Sequence, residues 1–263
     1  MQAWRSGLFA LAVLAGGMGT PAPLRAEPVM DLPRYPQIER AALERYAART
    51  LATRTAQARN AGELGCRDHC AMIARVFERV AGAAREQGEP DGGAVQWRLI
   101  VTTTPGEAAL SLPGGHVLIS EDMIAALGLS EAELAFVLAH EVAHVLMQHE
   151  AEALDYLQAT LTPRGLRRSV WDLYAELDFN AAALLRIESL MQQGELEADY
   201  AGLLLGAQAG YAPAEMLGAL AKMAAAEQRR SRVVNTHPQM VERMARLQGF
   251  LPVAERLAQL RRP

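Results

Sequence analysis

Aromatic residues are only 5% of the 263 residues, and cysteine occurs twice. Few aromatics beside abundant alanine and leucine suit a mostly helical fold. No apolar run is long enough to span a bilayer. The longest, Leu8 to Leu14, falls well short of the ~20 residues a crossing helix needs. No cysteine follows that run, which removes a lipoprotein anchor. Positive charge is not in excess either: the formal net charge is −4. An acidic chain is a poor ligand for phosphate backbones, so no nucleic-acid partner is expected. The cluster Arg229, Arg230 and Arg232 reads as a solvated helix end.

The N-terminus has Arg5 ahead of the short apolar run, Pro21 and Pro23 to break it, and the small residue Ala26 for cleavage. This pattern predicts a secretory signal peptide over residues 1–26, with an uncleaved anchor as the alternative. Residues 27–263 are then one domain, long enough to bury a real core. The expected address is exported, with the bacterial periplasm as the compartment. Two cysteines in an exported chain predict a disulfide between Cys66 and Cys70. With His69 between them, a second metal site is the other reading.

The chemistry concentrates in His140-Glu141-Val142-Ala143-His144, an H-E-x-x-H motif. It sits in a run from Ser130 to Leu154 without glycine or proline, which predicts one helix. Ser130 and Glu133 offer a capping box at its start. Residues four apart share a helical face, so His140 and His144 can grip one ion. Glu141 lies one step round, placed to act as a base on a metal-bound water. The bland alternative is a core helix with two hydrogen-bonded histidines, a costly arrangement without a metal. A catalytic zinc needs a third protein ligand and an open position. His149 does not share a face with His144, and it reads as a surface or structural histidine.

The third ligand is sought downstream, in Glu195-Leu196-Glu197-Ala198-Asp199. Glu195 and Asp199 are four apart. Glu195 can bind the metal while Asp199 hydrogen-bonds a ligand histidine and fixes its tautomer. Glu197 points elsewhere, to solvent. An ordinary acidic helix face is the alternative. His237 follows Thr236 at a predicted helix start, where Thr236 and Gln239 can form a capping box and leave the histidine free. It is the candidate for a second electrophile that holds the developing oxyanion. Arg243 is either a site residue or a salt-bridge partner. No nucleophile constellation is evident, which favours direct attack by water.

HEVAHVLMQH (His140 to His149) and ELEAD (Glu195 to Asp199) together resemble the zinc metalloendopeptidases that include BepA, LoiP, HtpX, Oma and the CAAX prenyl proteases. ALSLPGGHVLIS (109–120), EAELAFVLAHEVAH (131–144), AGYAPAEMLGAL (209–220) and THPQMVERMARL (236–247) extend the similarity, in the family's order, over about Trp97 to Gln248. The resemblance implies an α+β, mostly α-helical gluzincin-type domain with a small sheet or hairpin beside the metal helix, and one zinc per chain. It implies peptide-bond hydrolysis on unfolded or misfolded polypeptides, in quality control of envelope proteins, peripheral to a membrane or to outer-membrane assembly machinery. It also places His237 near the zinc, as a ligand in a resting state. A zinc-bound chaperone or adaptor with a gated cleft is the rival function. The residues at 114–120 predict a hairpin or an edge strand beside the cleft, suited to pairing with an extended peptide. Residues 155–182 join the two ligand helices as a lid or as ordinary packing. After Gln248 nothing resembles the tetratricopeptide repeats carried by some relatives.

Overall fold

The computed structural model describes residues 38–87, 95–163, 166–227 and 240–260. The predicted signal peptide and His237 lie outside the described residues. Among the described residues the chain runs through helix α1 (Arg40–Asn60) and α2 (Cys70–Glu86), then strands β1 (Arg98–Thr102), β2 (Ala109–Leu112) and β3 (His116–Ser120). Helices α3 (Glu121–Leu127), α4 (Glu131–Met147), α5 (His149–Leu161), α6 (Val170–Phe179) and α7 (Ala181–Gln208) follow, then α8 (Pro213–Met216), α9 (Gly218–Glu227) and α10 (Met240–Leu260). The fold is mostly helical with one small sheet. No helix of the described residues is long and apolar enough to cross a membrane.

The sheet order is β1-β3-β2. Strand β3 pairs parallel with β1 (Arg98 opposite His116) and antiparallel with β2 (Leu112 opposite His116). Pro113-Gly114-Gly115 closes the hairpin, with both glycines at φ 87°. At Gly115 a β-carbon would sit 2.9 Å from the Gln96 carbonyl oxygen, so both the dihedral and the space demand glycine. The hairpin at 114–120 is therefore present, but His116–Ser120 is the central strand, with Val117, Leu118 and Ile119 buried. The open edge falls to β2, which packs against α4.

Helix α4 is the centre of the core. Ser130 caps it, accepting from the Glu133 amide at 3.3 Å, while the Glu133 carboxylate accepts from the Ser130 amide at 2.6 Å. Leu134, Ala135, Leu138, Ala139 and Val142 are each fully buried. The single helix expected from Ser130 to Leu154 is in fact two. Gln148 adopts φ 58°, ψ 33°, the one left-handed non-glycine among the described residues, and α5 sets off in a new direction from it. Helix α7 carries small residues at fourfold spacing, Gly194, Ala198, Gly202 and Gly206, all buried; Gly202 lies against α4, Gly194 against His149 at the start of α5, and Gly206 against Met216 and Ala139. The closest approach is at Gly202, where a β-carbon would lie 2.9 Å from both the Cα and the backbone nitrogen of His140.

A second, smaller core gathers Leu43 of α1, Leu154 and Leu157 of α5, Val170 and Leu173 of α6, and Ala183 and Ile187 of α7. Within the connection over 155–182, Leu157, Val170 and Leu173 contribute buried packing, as the ordinary-packing alternative expects. The Cys66 and Cys70 sulfurs are bonded, with their Cα atoms 5.5 Å apart. This bond closes the loop before α2 and leaves no free thiol for a metal. Glu121 of α3 fastens the same loop, accepting from the Arg67, Asp68 and His69 amides at 2.6, 2.7 and 2.6 Å. Burial pushes this carboxyl's pKa up, but the three amides outweigh it and hold it at about 2.

Two predictions follow from this packing. Gly202→Val should destabilise the protein by about 3 kcal/mol, since backbone lies against the new side chain on both counts. Gly82→Ala in α2, which meets nothing within 4 Å, should instead gain up to ~1 kcal/mol of helix propensity; opposite shifts in melting temperature check the pair. For Glu121 the folded pKa lies below the ordinary value of 4.5. Its stabilisation is complete above pH 4.5 and is lost as pH falls towards 2. Glu121→Gln should cost about 2 kcal/mol at pH 7, and denaturant unfolding should find a smaller difference at pH 3.

Candidate metal centre

His140 and His144 project from one face of α4, and Glu195 and Asp199 from the facing turn of α7. Because α7 lies so close at Gly202, the four side chains meet. The two Nε2 atoms are 3.0 Å apart. Glu195 reaches both, with Oε2 3.5 Å from His140 Nε2 and Oε1 3.4 Å from His144 Nε2. A tetrahedral zinc with bonds of ~2.0–2.1 Å holds its donors ~3.3 Å apart. The triangle formed by His140, His144 and Glu195 matches that spacing, and among the described residues it is the one such group able to hold a metal ion.

The electrostatics favour a cation at this place. Burial opposes charge on His140, yet Asp199 and then Glu195 outweigh it and raise the ring to about 10. Metal and proton compete for the same ring nitrogen, so a site this hospitable to a proton is suited to a divalent cation. Asp199 Oδ1 lies 3.0 Å from His140 Nδ1, the nitrogen turned away from the donor triangle. Asp199 is in turn held by Arg243 of α10 through two parallel hydrogen bonds, Nε to Oδ2 at 2.7 Å and Nη2 to Oδ1 at 2.6 Å. Burial would raise the Asp199 carboxyl's pKa, but Arg243 and His140 keep it below the usual range. The remaining guanidinium nitrogen, Nη1, stands 3.2 Å from Glu195 Oε2. Arg243 therefore joins both acids of α7 and is a salt-bridge partner within the site itself. Glu141 is half-buried and close enough to Arg243 to favour its charge.

Of the two alternatives for His149, the structural one fits, since only 10% of its side chain is exposed and the ring lies outside the donor triangle, but it stands against a ligand. The break at Gln148 turns its ring back so that Nδ1 lies 2.9 Å from Nδ1 of His144. Glu197, expected in solvent, has only a quarter of its side chain exposed, with Oε2 3.5 Å from His149 Nε2. It also accepts from the Gln193 amide at 2.8 Å. The Gln193 contact is an ordinary pair four apart on α7, but the two contacts of His149 do not follow from helical spacing, because both depend on the chain turning at Gln148. The Gly194–Gly206 stripe, by contrast, was there to be read.

A profile of peptidase family M48 matches residues 70–251. The chain is similar to the mitochondrial metalloendopeptidase OMA1 of Schizosaccharomyces pombe, 32% identical over 189 residues, covering 70% of this chain and 53% of that protein. It is also similar to the OMA1 of Saccharomyces cerevisiae, 29% identical over 197 residues, 70% of this chain and 56% of that protein. The Arabidopsis thaliana OMA1 is 30% identical over 130 residues, 45% of this chain and 24% of that protein. The chain spans about half the length of the two fungal relatives. All three relatives are named as mitochondrial, which overturns the bacterial periplasm as the expected compartment.

Arg243 is 5% exposed and Asp199 1%, so removing the guanidinium strands a buried carboxylate. Arg243→Leu should cost about 3–5 kcal/mol. Arg246→Leu, on the exposed pair with Glu242 three residues along the same helix, should cost less than about 0.5 kcal/mol. Denaturant unfolding of the two variants checks the contrast.

Proposed function

The chain belongs to peptidase family M48, and from that premise we propose that it is a zinc-dependent endopeptidase whose metal is held by His140, His144 and Glu195. The observation that carries this reading is the donor triangle, with spacings of 3.0, 3.4 and 3.5 Å, beside a glutamate in the base position. A zinc held by these three residues would supply Lewis-acid chemistry, acidifying water to a pKa of about 7 and polarising the scissile carbonyl. Glu141 takes the proton of the attacking water and passes it to the leaving amine. Asp199, clamped by Arg243, holds the His140 ring with its Nε2 turned to the centre. Arg243 also offsets the buried charge of Glu195. On the sequence argument His237 is the second electrophile, donating to the developing oxyanion.

The substrate class we propose is polypeptide in extended form, as in unfolded or misfolded proteins. Strand β2 pairs with β3 on one side and, among the described residues, with no strand on the other. An extended segment can add to that edge through its backbone, which selects for lack of folded structure rather than for sequence.

Cleavage of casein by the purified chain tests the reading. Wild type is expected to cut, and chelation to abolish cutting. Glu141→Gln should bind zinc normally and lose at least about 10²-fold in rate. A wild type that holds one zinc per chain and cuts nothing would overturn the endopeptidase reading in favour of the zinc-bound chaperone.

A further inference from the structure

Resting on the metal-centre reading above, we propose that His149 is a positioning residue for the metal ligand His144, accepting a hydrogen bond from its Nδ1.

The two ligand histidines are backed in different ways. His140 has a carboxylate behind it, and that carboxylate is locked to an arginine. Behind His144 stands a second imidazole, nitrogen to nitrogen, with Nδ1 2.9 Å from Nδ1. Two ring nitrogens at that distance form a hydrogen bond only if one carries a proton and the other does not. If His144 binds through Nε2, its neutral ring carries the proton on Nδ1, and Nδ1 donates. His149 Nδ1 must then be the acceptor, so the His149 proton sits on Nε2. That nitrogen faces Glu197 Oε2 at 3.5 Å, and Glu197 is steadied by Gln193. One tautomer assignment therefore satisfies the pair of rings, while His149 Nε2 makes no hydrogen bond among the described residues and meets Glu197 only as a neighbouring charge.

Three independent features of the chain make room for this row. Gln148 adopts a left-handed conformation that non-glycine residues rarely take, and that turn brings His149 back over His144. Gly194 on α7 stands where a β-carbon would be 3.3 Å from the His149 ring, so a larger residue would press on it. The two rings meet at 80°, with centroids 4.9 Å apart; the edge-on approach directs nitrogen at nitrogen instead of stacking the faces. A histidine serving only to fill space would need neither the backbone turn nor the carboxylate behind it.

The test is zinc affinity of the full chain, by competition with a chromophoric chelator, together with the visible spectrum of the cobalt-substituted protein. His149→Phe keeps a ring and removes the acceptor; zinc affinity should fall 10- to 100-fold and the cobalt bands should shift. His149→Asn can place its Oδ1 at the acceptor position and should return to within about threefold of wild type. Should His149→Phe not fold, His149→Ala replaces it in the same measurements. Wild-type affinity and an unshifted cobalt spectrum in the folded Phe or Ala variant would overturn the proposal while leaving the metal centre standing. Equal losses in the Asn and Phe variants would also overturn it, reducing His149 to packing. A wild type that binds no zinc would overturn the metal centre itself.

Discussion

The site depends on how closely α4 and α7 approach. Histidines four apart on one helix cannot complete a metal site alone, and carboxylates on a second helix contribute only if they come within bonding reach. Metal–ligand bonds tolerate only a few tenths of an ångström, whereas an ordinary pair of helices packs 8–10 Å apart, with side chains between them. Here Gly202 removes that layer at the one turn where it matters and places α7 against the backbone of His140. Glu195 and Asp199 lie on the two turns before it, so their short side chains span what remains. Gly202 is thus a geometric requirement of the chemistry.

Close approach brings a second problem, the burial of charge. Glu195, Asp199 and Arg243 are each less than a tenth exposed, and a buried carboxylate without a partner costs several kcal/mol. Arg243 answers two acids at once, fork to fork with Asp199 and through its third nitrogen with Glu195. One cation for two carboxylates leaves an excess of negative charge, with Glu141 nearby adding to it. The strong preference of His140 for a proton expresses that excess. A divalent cation settles the balance without a proton, which links metal uptake to deprotonation of the centre. The guanidinium comes from α10, far along the chain from both ligand helices, so the C-terminal helix is part of the charge balance of the metal centre.

Much of this was legible in the residues. H-E-x-x-H on a helix with a capping box is a local signal, and local signals survive folding: Ser130 caps α4 where the spacing said it would. The fourfold spacing of Glu195 and Asp199 was readable for the same reason. What could not be read was anything that depends on a break in periodicity. Without glycine or proline near Gln148, nothing distinguished one long helix from two, so His149 reads as a surface or structural histidine and Glu197 as solvent-facing. Likewise, strand order is a property of pairing partners distant in sequence. The residues at 116–120 read correctly as a strand, but only the parallel partner β1 makes that strand central and hands the edge to β2.

The family match begins at residue 70, yet the working unit extends further toward the N-terminus. Helix α1, over Arg40–Asn60, lies before that boundary and forms a wall of the second core. Leu43 is buried there, Tyr46 stacks on Tyr174 of α6 at 3.8 Å between centroids, and the Ile38 amide donates to Asp155 of α5 at 2.6 Å. The Tyr174 hydroxyl donates in turn to Glu150 of α5, whose burial raises its pKa to about 7. Glu150 adjoins His149 in the chain, two residues past Gln148, whose turn carries the ring back to His144. The orientation of α5 is therefore set from one side by the Gln148 turn and from the other by α1 and α6. A helix outside the matched span, with no residue in the donor triangle, helps to fix the element from which the metal centre is braced.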